Sequence, residues 1–97
     1  MWVSIDLCIV PIGVGVSLSP YIKECISVVK EHELEFELGP NGTAIEGDWD
    51  QVLECIKNCH EVLHSRGVPR IYTTLKVNTR IDKKQSFKDK VKSIINN

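Results

Sequence analysis

Ninety-seven residues with ordinary charged and apolar fractions suffice for one domain around one core and leave no room for two. A formal net charge of -1 supplies no general attraction to nucleic acid or to an anionic membrane, and no apolar run approaches the roughly 18 residues that cross a bilayer. The start Met1-Trp2-Val3-Ser4-Ile5-Asp6 has no basic stretch and carries an acid, unlike a signal peptide, so the four cysteines are expected as reduced thiols in a cytoplasmic protein.

Residues 2–10 alternate Val3, Ile5, Leu7 and Ile9 with Ser4, Asp6 and Cys8, a strand with one apolar and one mixed face. Pro11 is expected to end it, and a loop with Gly13 and Gly15 follows. Ser19-Pro20 reads as N-cap and first residue of a helix, in which Ile22, Cys25, Ile26 and Val29 make the apolar stripe. Leu34, Phe36 and Leu38 alternate with glutamates as a second strand. Gly39-Pro40-Asn41-Gly42 turns the chain, and residues 43–46 return as a third strand. A second helix starts at Asp48, and Trp49, Val52, Leu53, Ile56, Cys59, His60 and Leu63 form its expected inner face. Gly67 and Pro69 stop that helix.

Residues 71–80, I-Y-T-T-L-K-V-N-T-R, are the longest uninterrupted alternating run. They place Ile71, Leu75 and Val77 on one face and Tyr72, Thr74, Lys76 and Asn78 on the other. Ser86-Phe87-Lys88-Asp89 has the form of a capping box with Asp at its last position, opening a short C-terminal helix.

The order β-α-β-β-α-β plus one helix predicts an α+β fold. It is the ferredoxin-like split βαβ sandwich, a single domain over 1–97 with an antiparallel sheet in the order 4-1-3-2. Residues 11–19, 39–43 and 67–73 then converge near the start of the first helix, whose unpaired N–H groups and neighbours Ser17, Ser19, Asn41, Thr43 and Thr73 suggest a pocket mouth. Any fold of this order has these turns and caps, which is the simpler reading of the same residues. The open sheet face carries Asp6, Glu46 and Lys76 beside Trp2, Val10 and Tyr72, which fits a solvated face or, better, a sheet-to-sheet subunit interface.

Other chemistries have less support. RNA binding on this topology needs aromatic residues on the middle strands, whereas the third strand is Thr43-Ala44-Ile45-Glu46. Cys55/Cys59 and His60/His64 are potential zinc ligands, but the two pairs lie about 100° apart around the helix and no C-x-x-C occurs; core or boundary packing is the simpler role for Cys59 and His60. No nucleophile elbow, phosphate loop or dinucleotide fingerprint is present. Asp6 and Glu46 are the one candidate acid–base pair.

Several strings together resemble a known family. Val10-Pro11-Ile12-Gly13, Ser17-Leu18-Ser19-Pro20-Tyr21, Gly42-Thr43-Ala44-Ile45-Glu46 and Tyr72-Thr73-Thr74-Leu75-Lys76-Val77, with Arg80, Asp82 and the segment 89–93, are similar to the thiamine-binding protein family of the YkoF-like superfamily. The resemblance covers nearly the whole chain. It implies a ferredoxin-like subunit, dimers paired through their sheets into a homotetramer, and non-enzymatic binding of thiamine or its hydroxymethylpyrimidine part without a cofactor. The implied ligand residues are Pro11, Ile12, Gly13, Ser17, Leu18, Ser19, Gly42, Thr43 and Glu46, with Thr73 as a further contributor; Asn41 joins them from the pocket reading above. Glu46 would face a protonatable aminopyrimidine, and Ile12, Leu18 or Tyr21 would wall its ring. The alternatives are an assembly protein without thiamine affinity and an enzyme using Asp6 or Glu46.

Overall fold

A computed structural model describes residues 1–96. The chain runs β1 (Trp2–Ile12), α1 (Ser19–Glu31), β2 (Glu35–Leu38), β3 (Thr43–Asp48), α2 (Trp49–Ser65), β4 (Arg70–Asn78) and α3 (Phe87–Ile95). One antiparallel sheet has the order β2-β3-β1-β4, the expected order read from the other edge.

Register follows from the apolar pattern. Val3 lies opposite Gly47, Ile5 opposite Ile45 and Val77, and Leu7 opposite Thr43 and Leu75, so these share the face covered by α1 and α2. Val3, Ile5, Leu7, Ile9, Ile45, Val29, Val52, Cys55, Cys59 and Leu63 form the centre of the core. Gly47 is required there: a Cβ would stand 2.7 Å from Leu34 Cδ2 and 3.3 Å from Val52 Cγ2, where the second helix crosses the sheet. The opposite parity, with Ser4 across from Glu46 and Asn78 and Asp6 across from Ala44 and Lys76, forms the open face. Asp6 and Lys76 are directly opposed without closing an ion pair among the described residues.

Both helices end by one device. At α2 the N–H of Gly67 donates to His64 O and that of Val68 to Leu63 O, with Gly67 at φ +93° and Val68 buried beside Leu63. At α1 Glu33, at φ 56°, donates to Lys30 O, and Leu34 to Val29 O. Each is a Schellman turn whose following apolar residue folds back on the helix.

Local departures from the sequence reading have physical causes. β1 continues through Pro11, which pairs with Ile71, to Ile12; beyond Leu7 the strand has no β3 neighbour, and an edge tolerates a proline. Leu18, not Ser19, is the N-cap of α1. Cys55 is fully buried and Leu53 partly exposed, because α2 packs against α1 as well as the sheet. Leu38 and Val77, at opposite corners of the sheet, project beyond the helices and are largely exposed.

α3 starts as its sequence indicates. Ser86 Oγ accepts from the Asp89 N–H at 3.1 Å and Asp89 Oδ2 from the Ser86 N–H at 3.2 Å. The helix is tied to the open face, where the Phe87 N–H donates to Glu46 Oε2 at 2.9 Å. The approach is held by Arg80, which donates through Nε and Nη2 to both carboxylate oxygens of Asp82 and through Nη1 to Gln85 Oε1. That guanidinium, chiefly through its hydrogen bonds, pulls the Asp82 carboxyl down to about 2. Among the described residues no helix is long and apolar enough to cross a membrane.

Candidate functional site

A groove arises where the sheet runs out of strand. β3 reaches β1 only as far as the Leu7–Thr43 pair, while β1 goes on beside β4 to Ile12. The side of β1 over residues 8–10 is therefore left without a strand neighbour. α1 closes one flank and the 39–42 turn the other, enclosing about 690 Å³, a size suited to a small organic ligand. The turn is closed by the Gly39 N–H donating to Gly42 O at 2.8 Å. Side chains at either glycine would crowd it: a Cβ at Gly39 would stand 2.9 Å from Gly42 O, and one at Gly42 2.8 Å from Asp6 Oδ1.

The groove is mainly apolar. Ile9 rises from the sheet, Ile22, Ile26 and Val29 line the α1 side, and Val16, Leu18 and Leu38 stand around the opening. Ser19, Ile22, Lys23 and Ile26 follow the i, i+3, i+4, i+7 rule of one helical face, so α1 presents a hydroxyl and an amine toward the mouth and two isoleucines further in. Asn41, Gly42 and Thr43 complete the polar rim, and Thr43 is buried.

Of the residues expected to hold a ligand, Leu18, Ser19, Asn41, Gly42 and Thr43 line this groove. Pro11, Ile12, Gly13 and Ser17 lie outside its lining. Pro11 is buried on the helix-facing side of β1. Gly13, at φ +90°, packs so closely on Pro69 that a Cβ would meet Pro69 Cγ at 2.9 Å, which joins the end of β1 to the start of β4. Thr73 faces α2, where its Oγ1 shares a 2.6 Å hydrogen bond with His60 Nε2. Glu46 lies on the other side of the sheet beneath α3, almost fully buried and bonded to the Phe87 amide. The groove lining thus takes Val16, Leu18 and Ser19 from the first of the three segments, all of 39–43 from the second, and none of 67–73. Ile12 and Tyr21 are likewise outside its walls; Tyr21 packs against the core.

The unpaired amides expected at the start of α1 are partly spent. Pro20 has none, and the N–H groups of Tyr21 and Ile22 both donate to Leu18 O, at 3.0 and 3.1 Å. Ser19, in the groove lining, keeps its N–H as well as its hydroxyl. Lys23 was missed because on the sequence it reads as the solvated face of an amphipathic helix; its place at the groove depends on where β3 stops. Ile22 and Ile26 were visible as the apolar stripe, but nothing local separates a stripe that is covered from one left partly open.

The other chemistry-bearing residues have structural partners. Cys25, Cys55 and Cys59 meet between α1 and α2, and the Cys59 thiol points at Cys25 O, 3.7 Å away. Hydrogen bonding with Cys25 and Cys55, together with burial, pushes the Cys59 thiol far up. His64 Nδ1 donates to Val68 O at 2.8 Å. Burial first, and the neighbouring His64 second, lower the His60 pKa.

Known proteins extend the comparison. The chain matches the family described as thiamine-binding protein over residues 5–95. A UPF0045 protein of Synechocystis is 46% identical over 94 residues, covering 97% of this chain and 78% of the relative. Another, from Eremothecium gossypii, is 39% identical over 90% of this chain and 84% of its own. The crystal structure of a hypothetical protein from Methanocaldococcus jannaschii superposes with a TM-score of 0.88 at 35% identity, covering 96% of this chain and 95% of that one. A Thermotoga maritima protein described as a candidate for thiamine biosynthesis or salvage shares the fold, with a TM-score of 0.82 at 19% identity over 97% of this chain and 99% of that one.

Proposed function

The chain belongs to the thiamine-binding protein family, and from that premise we propose that it is a non-enzymatic cytoplasmic binder of thiamine or its hydroxymethylpyrimidine part. The observation that carries this reading is the groove of about 690 Å³. Leu18, Ile22 and Ile26 suit the faces of a flat ring, and Ser19, Asn41 and Thr43 suit its edge. Glu46 is engaged by α3, so hydrogen bonding to an aminopyrimidine falls to Thr43, Asn41 and the backbone of the 39–42 turn. Asp6 and Glu46, the candidate acid–base pair, are both outside the groove lining, which favours binding over catalysis. Chemical-shift mapping with hydroxymethylpyrimidine tests the placement. The amides of Ile22, Gly42 and Thr43 move while those of Thr73 and Phe87 stay; shifts confined to the open face overturn it.

The working form in this reading is an oligomer paired through the open face. That face exposes Trp2 and Tyr72, and α3 exposes Val91, Ile94 and Ile95, a concentration of apolar side chains that solvent alone does not explain. Charge is divided across the same face, with Glu35 and Glu37 on the β2 edge and Lys76 on β4, followed by Lys83, Lys84 and the lysines of α3. A two-fold arrangement of two sheets places opposite charges together. The same apolar surface favours one second reading, an assembly protein without thiamine affinity; an intact oligomer that leaves every ligand amide unmoved would select it.

A further inference from the structure

The groove has one charged side chain in its lining, and it is a cation. Lys23 stands one helical turn beyond Ser19 on the groove side of α1, and no aspartate, glutamate or histidine joins it there. Its ammonium has no carboxylate within ion-pair distance among the described residues. The adjacent acid, Glu24, is turned to Arg66 at 3.2 Å. Asp6, on the open face, stands against Gly42 but is not itself in the groove lining.

We propose that the groove selects an uncharged planar ring carrying one oxyanion, a phosphate ester or a carboxylate, with Lys23 as the anion-binding residue. The inference rests on the groove being the ligand site and specifies the charge of what enters it. A lysine lays its methylene stem along apolar wall and keeps its ammonium at the mouth, where a ring held between Ile22 and Ile26 would place a substituent. Ser19 and Asn41, on the two sides of that mouth, add a hydroxyl and an amide to a charge-assisted contact. The start of α1 adds the Ser19 N–H, since Pro20 has none and that of Tyr21 is bonded to Leu18 O. The same Lys23 opposes a fixed positive charge. The thiazolium of thiamine would enter an apolar site beside a like charge and without a carboxylate, an unfavourable arrangement at low local dielectric. Hydroxymethylpyrimidine has no permanent charge, and its phosphate ester supplies the missing anion.

Calorimetric titration of the full chain with hydroxymethylpyrimidine, its monophosphate, the corresponding aminopyrimidine 5-carboxylate and thiamine tests the inference, with inorganic phosphate as a control for the anion alone. The monophosphate is expected to bind about tenfold more tightly than the alcohol or thiamine, as one well-placed charge contact allows, and the margin shrinks as salt is added. The carboxylate arm decides which oxyanion is preferred. Lys23→Gln, on an exposed helical position where folding is unaffected, removes the margin; Lys23→Glu reverses it toward thiamine. Equal affinities for alcohol, phosphate and thiamine, or an undiminished phosphate margin in Lys23→Gln, overturn the role of Lys23 while leaving the groove as a binding site. Absence of binding by every ring-containing probe overturns the site itself.

Discussion

Glu46 shows how one side chain can change its meaning between sequence and structure. On the sequence it is an acid on the polar parity of a strand, available to a ligand or to Lys76. In the fold it is nearly inaccessible and accepts the first amide of α3, where a carboxylate meets an unpaired N–H and the positive end of a helix. Glu46→Ala is therefore expected to cost about 1–3 kcal/mol in chemical denaturation, the range for stranding a buried hydrogen-bonding group, and to speed hydrogen exchange at Phe87 first. A ligand-binding role would instead leave stability unchanged. His60 supplies a pH test. Its folded-state pKa lies below the ordinary 6.5, so the unfolded chain takes up the proton first as pH falls. The contribution is fully present above pH 6.5 and is lost as pH falls from there toward the lower folded value. Melting temperature should drop across that interval in the parent and drop less in His60→Gln, and equal slopes would remove His60 from the explanation. Neither partner was legible beforehand, because Phe87 and Thr73 reach these residues through tertiary packing.

The secondary elements were far more visible, since period-two alternation in β1 and β4 and the spaced apolar stripes of α1 and α2 are local signals. The errors lie where one element depends on another. Pro11 reads as the end of a strand until β1 is known to have lost its β3 neighbour. Cys55 was not named on the inner face of α2 until α1 was placed against it. The groove belongs with these: the Leu7–Thr43 pair is the last between β1 and β3, and a register is not written in either strand alone. A prediction of the same kind concerns the end of α1. Glu33 occupies the left-handed position, φ 56°, that glycine takes in the matching turn after α2. Glu33→Gly should stabilise the protein by about 0.5–1 kcal/mol by relieving that backbone cost and removing an acid from a helix C-terminus. A loss of stability on thermal or chemical unfolding would show that the turn is not governed by its φ angle.

Taken as a whole, the molecule has two unequal faces. The helix side buries the core and leaves a groove at one end, whereas the open side is covered only in part by α3 and keeps an apolar row in solvent. Ile94 is 80% exposed, so Ile94→Glu combined with Val91→Glu touches little of the core and should alter monomer stability by no more than about 0.5 kcal/mol. Light scattering should nevertheless show a smaller particle than the parent, and a parent that is already monomeric at micromolar concentration would remove the open face from the oligomer. Binding at the groove is measured most directly by calorimetric titration of the parent and of Ile26→Trp with hydroxymethylpyrimidine. The indole of that variant would fill the cavity between α1 and β1. Saturable binding at one site per chain in the parent, abolished in a folded Ile26→Trp protein, is the expected result; no heat at millimolar ligand, or equal binding by both proteins, would contradict it.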